Sequence, residues 1–354
     1  GARARLLDAR RAQVDAADGE RFEVQFEQAL LATGSLPNRP PIPGIDLPGV
    51  LTSEGLLELD RLPASLTVIG AGPIGIEMAQ IFRAFGTQVS VLEMAPRILL
   101  PIEEELALQL QQYLTEIDGI KLELDARVGA IRQAAEGLAV DYVDAQSQEQ
   151  TIQSEFVLVV TGRHPNVEGL GLEHTAVVYD QHGVSTDAQL QTAEPGVYAA
   201  GDVVGQPMFA HWASAQALAL ARHLLGQPVQ FPTPASNTAV IFSTPELGMA
   251  GLGEVQAQAA GYDVSVARYS YTGDARAQVG GHPEGQLKVV YDTNSRKILG
   301  IHLLGEGAGD LLGEAALAVR AGLSLDVLAA SIHPHPTLTE AFGTLARTVM
   351  AGNP

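Results

Sequence analysis

The sequence predicts an α/β chain whose last third turns α+β, and three observations predict it. Residues 66 to 93 run in the order apolar strand, glycine-rich turn, amphipathic helix, second apolar strand and terminal acid. Two strands, Ala29-Leu-Leu-Ala and Phe156-Val-Leu-Val-Val, each run into a Thr-Gly turn, at Thr33-Gly34 and Thr161-Gly162, 128 residues apart. From Thr233 on, strands (238–242, 287–291, 298–304) are followed by helices (311–321, 338–349), the order of an α+β domain.

Taken in order, the chain opens on short alternating strands, Ala12-Gln-Val-Asp and Phe22-Glu-Val-Gln-Phe, around an Asp18-Gly19 turn. A connector with Pro37, Pro40, Pro41, Pro43 and Pro48 leads to a strand over 66–69. That strand enters Gly70-x-Gly72-x-x-Gly75, a helix carries residues 76–85, and a strand over 89–92 ends on Glu93. Each part has a mechanical reason. Gly70 permits the tight turn, Gly72 lets the backbone approach a pyrophosphate, and Gly75 lets the helix pack close to the strand, while the helix N-terminus offers N–H donors. Glu93, 18 residues past the last glycine, stands where a carboxylate accepts hydrogen bonds from the adenine-ribose hydroxyls of NAD and repels a 2′-phosphate. After Gly162 a less periodic stretch reaches Tyr198-Ala-Ala-Gly201-Asp202, a strand delivering an acid to a loop, and an Ala- and Leu-rich helix follows over 213–225. The apolar helix Leu311-Leu-Gly-Glu-Ala-Ala-Leu-Ala-Val fits both a buried core and a subunit interface.

Composition narrows the function classes. The 354 residues are 46% apolar, enough for two or three domains with cores. With 21 basic against 41 acidic residues the net charge is −20, which disfavours nucleic acid and anionic membranes as partners, and which a solubilising surface explains on its own. No apolar run reaches the ~18 residues of a membrane span, and the first residues are not those of a signal peptide, so a cytoplasmic location is expected. There is no cysteine, hence no disulfide, thiolate metal site or thiol nucleophile on this chain, and no metal is expected.

Beyond the glycine turn with Glu77, the ordered motifs are Ala32-Thr-Gly-Ser, Thr161-Gly-Arg-His-Pro-Asn166, Tyr198-Ala-Ala-Gly-Asp202, Met208-Phe-Ala-His211, Pro245-Glu-Leu-Gly-Met-Ala-Gly251 and His333-Pro-His-Pro-Thr-Leu-Thr-Glu340. Together they resemble the flavoprotein pyridine nucleotide-disulfide oxidoreductases, nearest to the dihydrolipoamide dehydrogenase branch. The likeness runs over essentially the whole chain. It implies a Rossmann-like NAD-binding domain plus a partial FAD-binding domain, with an α+β C-terminal dimerisation domain. The implied segments are 1–41 (the end of an FAD-binding domain), 42–163 (NAD), 164–231 (a return to the flavin domain) and 232–354 (dimerisation). In that family an N-terminal segment carries an FAD glycine fingerprint and a redox-active cysteine pair, and neither is in this sequence. The chain is expected to begin partway through the FAD domain and, as written, to turn over no disulfide.

Residue roles follow from the same resemblance. Gly201 and Asp202 match the strand end whose acid holds the FAD ribityl and pyrophosphate region; a turn after a strand is the plainer account of Gly-Asp. Ala210 and His211 match a helix start at the pyrimidine edge of the flavin, although Trp212, Ser214 and Gln216 replace the charged residues usual after it. Thr33, Gly34, Ser35, Gly162 and Met208 are implied cofactor contacts. Glu77 matches a carboxylate that pairs with a lysine after the cysteines; without that lysine it is an acid on the first turn of a helix, which the dipole favours.

His335 and Glu340 match the acid–base pair, an imidazole being the side chain suited to exchange protons with a dithiol near neutral pH. Thr337-Leu-Thr-Glu340 is also a capping-box sequence, and spacing alone does not choose between the cap and the pair. His333 and His302 are expected to be structural. The resemblance implies a homodimer acting on a small or protein-bound disulfide or dithiol, its His-Glu pair serving the partner's site. A thiol-independent flavin oxidoreductase (a transhydrogenase or NADH oxidase) and a dimeric nucleotide-binding module without redox chemistry are the alternatives.

Overall fold

The computed structural model describes residues 1–352, so the last two residues of the 232–354 segment, Asn353 and Pro354, lie outside the described residues. The chain starts with an antiparallel meander of β1 (Ala2–Asp8), β2 (Arg11–Ala16) and β3 (Arg21–Gln25). Gly19 makes the turn between β2 and β3 at φ +90°. Two short strands follow, β4 (Ala29–Leu31) and β5 (Ser35–Pro37), separated by the Thr33-Gly34 turn.

The next stretch holds β6 (Val50–Leu51), α1 (Ser53–Leu57), β7 (Ser65–Ile69), α2 (Pro73–Ala84), β8 (Gln88–Leu92), α3 (Glu104–Glu116) and β9 (Lys121–Glu123). A second meander, β10 (Arg127–Gln133), β11 (Leu138–Val143) and β12 (Glu149–Ser154), leads into β13 (Phe156–Val159). The parallel sheet has the order β6-β13-β7-β8-β9, with α2 and α3 as crossovers between β7, β8 and β9. Because side chains alternate along a strand, the sheet has two apolar faces. Leu66, Val68, Val89 and Val91 pack under Ile76, Ala79, Phe82, Leu106 and Leu110 of the helices. On the other face Ile69, Leu92, Val157 and Val159 meet Leu138, Val140 and Tyr142 of the meander. The strand order reverses between β7 and β13, the place where open α/β sheets bind their ligands.

Past Gly162 come β14 (Arg163–Pro165), β15 (Tyr179–Asp180), β16 (Gly183–Val184), β17 (Val197–Ala199) and α4 (Ala210–Leu224). The duplicated Thr-Gly turn acquires a structural meaning here. Each turn delivers a short strand, and the two strands pair antiparallel, Ser35 opposite Pro165 and Pro37 opposite Arg163. Likewise β4 pairs parallel with β17. Helix α4 begins three residues before the predicted 213, because Phe209 is extended and Ala210 is the first helical residue.

The C-terminal part is an antiparallel sheet in the order β18-β19-β22-β21-β20, from β18 (Thr238–Ile241), β19 (Glu246–Gly251), β20 (Val264–Ser270), β21 (Gln286–Asp292) and β22 (Ile298–Gly305). Its helices are α5 (Glu254–Ala259), α6 (Ala275–Gly280), α7 (Ala308–Ala321), α8 (Leu325–Ala330) and α9 (Glu340–Met350). Every residue of β22 is buried. Strands β19 and β20 and the short helices α5, α6 and α8 were not foreseen. Of the apolar stretch 311–319, Leu311, Leu312, Ala315 and Ala318 are buried within the chain, and Leu317 is 66% exposed.

By packing, the chain divides into two units: Gly1–Asn38 with Gly162–Pro234, and Arg39–Thr161 with the described residues from Ala235 on. In the second unit the nucleotide sheet and the C-terminal sheet share a core, since Ile241, Leu247 and Leu304 belong to the cluster built on Leu66, Val68 and the helices.

Candidate functional site

The glycine turn is built as a passage. Gly70, at φ +111°, sits where a Cβ would lie 2.6 Å from the Val160 carbonyl oxygen, and a Cβ on Gly75 would lie 2.1 Å from the Gly70 oxygen. Both positions exclude a side chain because backbone would have to move. Gly72 differs. It is the N-cap of α2 in an ordinary extended conformation, φ −76° and ψ −178°, and a Cβ there would meet nothing within 4 Å. Pro73 follows at the helix start, where its missing N–H costs nothing.

Glu93 leaves β8 beside this turn. Its Oε2 accepts the Ala71 N–H at 2.6 Å and its Oε1 the Ala95 N–H at 2.8 Å, so the carboxylate is held in place by two backbone donors. Arg97, the nearest cation along the sequence, donates to the carbonyls of Ile98, Leu99, Leu100 and Ile102 and is committed to its own loop. Glu77 corrects an expectation: Pro73 opens the helix, so Glu77 is its fifth residue and the first turn holds no acid. Its Oε1 accepts the Phe242 N–H at 2.9 Å, and Gln80 one turn on exchanges two hydrogen bonds with the Thr244 backbone, both at 2.8 Å. Both residues therefore hold the end of β18 against the nucleotide-binding helix.

In the first unit two of the predicted flavin-side residues, Ser35 and Asp202, meet. Ser35 Oγ donates to Asp202 Oδ2 at 2.6 Å, and Arg163 donates to Ser35 through Nε to Oγ at 2.7 Å and through a terminal nitrogen to the carbonyl at 2.8 Å. Thr33 Oγ1 donates to the Asn166 carbonyl at 2.7 Å, and the Asn166 N–H donates to the Gly34 carbonyl at 2.9 Å, which ties the two Thr-Gly segments together. A Cβ on Gly162 would lie 3.1 Å from Asn38 Nδ2. Gly201, at φ +78°, gives its N–H to Gln216 Oε1 at 2.8 Å, and Gln216 is buried. The glutamine that departs from the family's charge pattern thus fixes the Gly201 turn. Trp212 is buried too. Phe209 provides no side-chain cap for α4, and His211 in its first turn stacks on Phe209 at 5.2 Å. The Gly201 turn packs on the start of α4, since a Cβ on Gly201 would lie 3.3 Å from the Ala213 Cβ.

At the other end of the chain, His335 Nδ1 lies 3.1 Å from Glu340 Oε2 and 3.2 Å from Oε1. The same Oε2 accepts the Thr337 N–H at 3.0 Å. Helix α9 begins at Glu340 with Thr339 as its N-cap and no side-chain cap, so the capping box expected from Thr337 does not form; the carboxylate instead accepts the Thr337 N–H just before the helix while it meets the histidine. The Thr337 N–H and then His335 hold Glu340 below the ordinary carboxylate range. His335 is 72% exposed, with Nε2 turned away from the glutamate. His333 is half-buried, its Nε2 2.9 Å from Glu314 Oε1 and its ring stacked on Phe342. His302 is fully enclosed, its Nε2 facing the Leu252 carbonyl at 3.1 Å, and burial pushes its imidazole down towards the neutral form.

Sequence reasoning missed one cluster, because a lysine on a strand and acids before a helix look like surface. Lys288 on β21 is only 3% exposed, with Glu103 at 2.5 Å, Glu254 at 3.1 Å and Glu105 at 3.7 Å from its ammonium. Burial alone would pull that ammonium down, but the Glu103 and Glu254 carboxylates outweigh it and hold it above its ordinary value. Among the described residues no group of side chains could hold a metal ion, and no helix is long and apolar enough to cross a membrane.

This architecture, a parallel sheet with a glycine turn set in sequence between the two segments of the first unit and followed by an α+β domain, is that of the pyridine-nucleotide flavoproteins. Residues 4–217 match the family model of the pyridine nucleotide-disulphide oxidoreductases, and residues 238–346 match the dimerisation domain of the same family. The chain is 37% identical over 349 residues to dihydrolipoyl dehydrogenase 3 of Pseudomonas aeruginosa, covering 98% of this chain and 74% of that protein. To dihydrolipoyl dehydrogenase of Bacillus subtilis it is 34% identical, over 94% of this chain and 70% of that protein. Among solved structures, LpdA from Mycobacterium tuberculosis superposes with a TM-score of 0.90 at 26% identity, covering 99% of this chain and 77% of that one. The HOCl-induced flavoprotein disulfide reductase RclA from Escherichia coli gives 0.87 at 27% identity, over 98% and 78%. The chain belongs to the pyridine nucleotide-disulphide oxidoreductase family. Its homologues are oxidoreductases of the dihydrolipoyl dehydrogenase type, which use FAD and NAD(H), and its C-terminal part is a dimerisation domain.

Proposed function

We propose that this chain forms the NAD-binding, flavin-returning and dimerising part of a dihydrolipoamide dehydrogenase-like enzyme, working in the cytoplasm on a small or protein-bound disulfide or dithiol. The observation that carries the nucleotide reading is Gly72. Gly70 and Gly75 are required by the fold, whereas nothing in the protein requires a glycine at 72. The space in front of it, at the N-terminus of α2 and beside Glu93, suits a pyrophosphate and its ribose. When bound, NAD(H) would supply hydride chemistry at this site and a flavin would link it to a thiol pair.

The residues of this chain bind, orient and exchange protons. Glu93 receives ribose hydroxyls and excludes a 2′-phosphate, with Arg97 unable to reverse that choice because its donors are spent on four carbonyls. Asp202, held by Ser35, would hold the ribityl side of a flavin, and the start of α4 at Ala210 and His211 would hold its pyrimidine side. In a dimer that carries the thiol pair, His335, oriented by Glu340 through Nδ1, would give and take a proton at Nε2 with the thiols across the two-fold interface. This sequence contains no cysteine, so the chain by itself passes no electrons to a disulfide. The test is to titrate NADH and NADPH against this chain, then to assay it with NADH, FAD and lipoamide. Tighter NADH binding without lipoamide turnover is expected. NADPH binding equal to or tighter than NADH overturns the Glu93 assignment, and turnover overturns the need for thiols.

A further inference from the structure

The segment between Glu93 and α3 is fastened at both ends. At its start Glu93 holds the amides of Ala95 and Ala71, and the Leu99 N–H donates to the Ala71 carbonyl at 3.0 Å, which laces the segment to the glycine turn. In its middle the Arg97 guanidinium gathers four carbonyls, and Ile98, Leu99 and Ile102 are buried. At its end Glu103 and Glu105 reach the C-terminal sheet, where Lys288 lies enclosed between them and Glu254. The second oxygen of Glu103 accepts the Glu254 N–H at 2.8 Å, and Gly253 approaches so closely that a Cβ would lie 2.3 Å from it. Glu105 is held in addition by Arg268 and Gln286, each at 2.8 Å.

Burying an ammonium among carboxylates is a poor way to add stability, because desolvation consumes most of the attraction. What the arrangement supplies is position. We propose that Lys288 is a positioning residue for the adenosine half of the nucleotide: by holding Glu103 and Glu105 it fixes residues 94–102 and, through the Ala95 and Ala71 amides, the orientation of Glu93. The dimerisation domain thus takes part in nucleotide binding without touching the nucleotide. This inference rests on the reading of Gly70 to Glu93 as the NAD site.

The experiment is calorimetric titration of this chain with ADP-ribose, which carries the adenosine half, and with reduced nicotinamide mononucleotide, which does not. Lys288→Met is expected to weaken ADP-ribose roughly tenfold, about one charge-assisted hydrogen bond, and to change the mononucleotide by less than about twofold. Lys288→Arg should recover part of the loss. Gly253→Ala displaces Glu103 while removing no charge and should give the same pattern, so the proposal stays testable if Lys288→Met fails to fold. Folding and assembly are checked by circular dichroism and sedimentation. Unchanged ADP-ribose affinity in a folded variant overturns the proposal, and so does an equal loss of both ligands, which marks general loosening. Failure of the unsubstituted chain to bind ADP-ribose is a separate outcome that sinks the nucleotide site itself.

Discussion

Substituting Gly72 and Gly75 in turn separates what the ligand needs from what the fold needs. Gly72→Ala places a methyl group where no protein atom lies within 4 Å, at a φ of −76° that alanine adopts freely. As an N-cap, alanine is worse than glycine by about 0.5–1 kcal/mol, and the stiffer unfolded chain returns about 0.4–1 kcal/mol. Stability should therefore change by less than about 1 kcal/mol. A pyrophosphate seated against that turn would meet the methyl, and crowding of this kind costs about 1–3 kcal/mol, roughly 5- to 150-fold in Kd. Gly75→Ala is the opposite case. Its Cβ would lie 2.1 Å from the Gly70 carbonyl oxygen and 3.4 Å from Val160 Cγ2, so α2 must lift from β7, and a loss near the top of the ~1–3 kcal/mol range for overpacking is expected. Thermal unfolding and NADH titration on both variants give the answer. The reasoning fails if Gly72→Ala binds NADH like the unsubstituted chain, or if it destabilises the protein as much as Gly75→Ala does.

Three further outcomes are expected. Gln216→Leu leaves the Gly201 N–H buried without an acceptor and should lower stability by about 1–3 kcal/mol, seen in thermal unfolding. Asp141 is held at about 2 by Arg132 and then by Thr151. A depressed carboxylate contributes stability above its unfolded value near 3.8, and that contribution disappears as pH falls through about 2; solvent screening keeps it under ~1 kcal/mol. Unfolding curves of Asp141→Asn should lack this acid-side step. In an enzyme that carries the thiol pair, His335→Gln should reduce disulfide turnover roughly 10²- to 10⁴-fold with NADH binding intact. A hybrid dimer of that variant with a thiol-deficient subunit should regain activity if the site is shared, and hybrids that stay inactive after verified subunit exchange would refute the sharing.

The legible parts of this protein are those in which local geometry and residue type coincide. The strand at 66–69, the helix after it and the strand at 89–92 all form within a few residues of their expected places, because glycine and alternation act over short distances. Less legible were features that depend on distant partners. Strand β19 was read only as a motif; its Gly248 packs on Leu312 of α7, at a separation no periodicity reveals. Lys288 and Glu103 are 185 residues apart, and each alone has the look of a solvated charge. Gln216 read as a departure from a charge pattern, yet its role is set by the amide of Gly201, 15 residues earlier.

Spacing leaves the role of Glu340 open because the cap and the acid–base pair draw on one side chain. A carboxylate has two oxygens and about four lone-pair sites, and accepting one backbone N–H leaves most of them available. The Thr337 amide takes Oε2 and His335 Nδ1 meets the same group, so the backbone contact ahead of α9, and not a helix cap, orients the carboxylate towards the imidazole. Glu93 follows the same logic, with one oxygen on Ala71 and the other on Ala95. In both places a backbone donor fixes a charged group before any ligand arrives, which removes the cost of ordering it at the moment of binding. A sequence signature for a helix start and one for a carboxylate set against an imidazole can therefore be the same residues, and their coincidence is itself a reason to look for chemistry there.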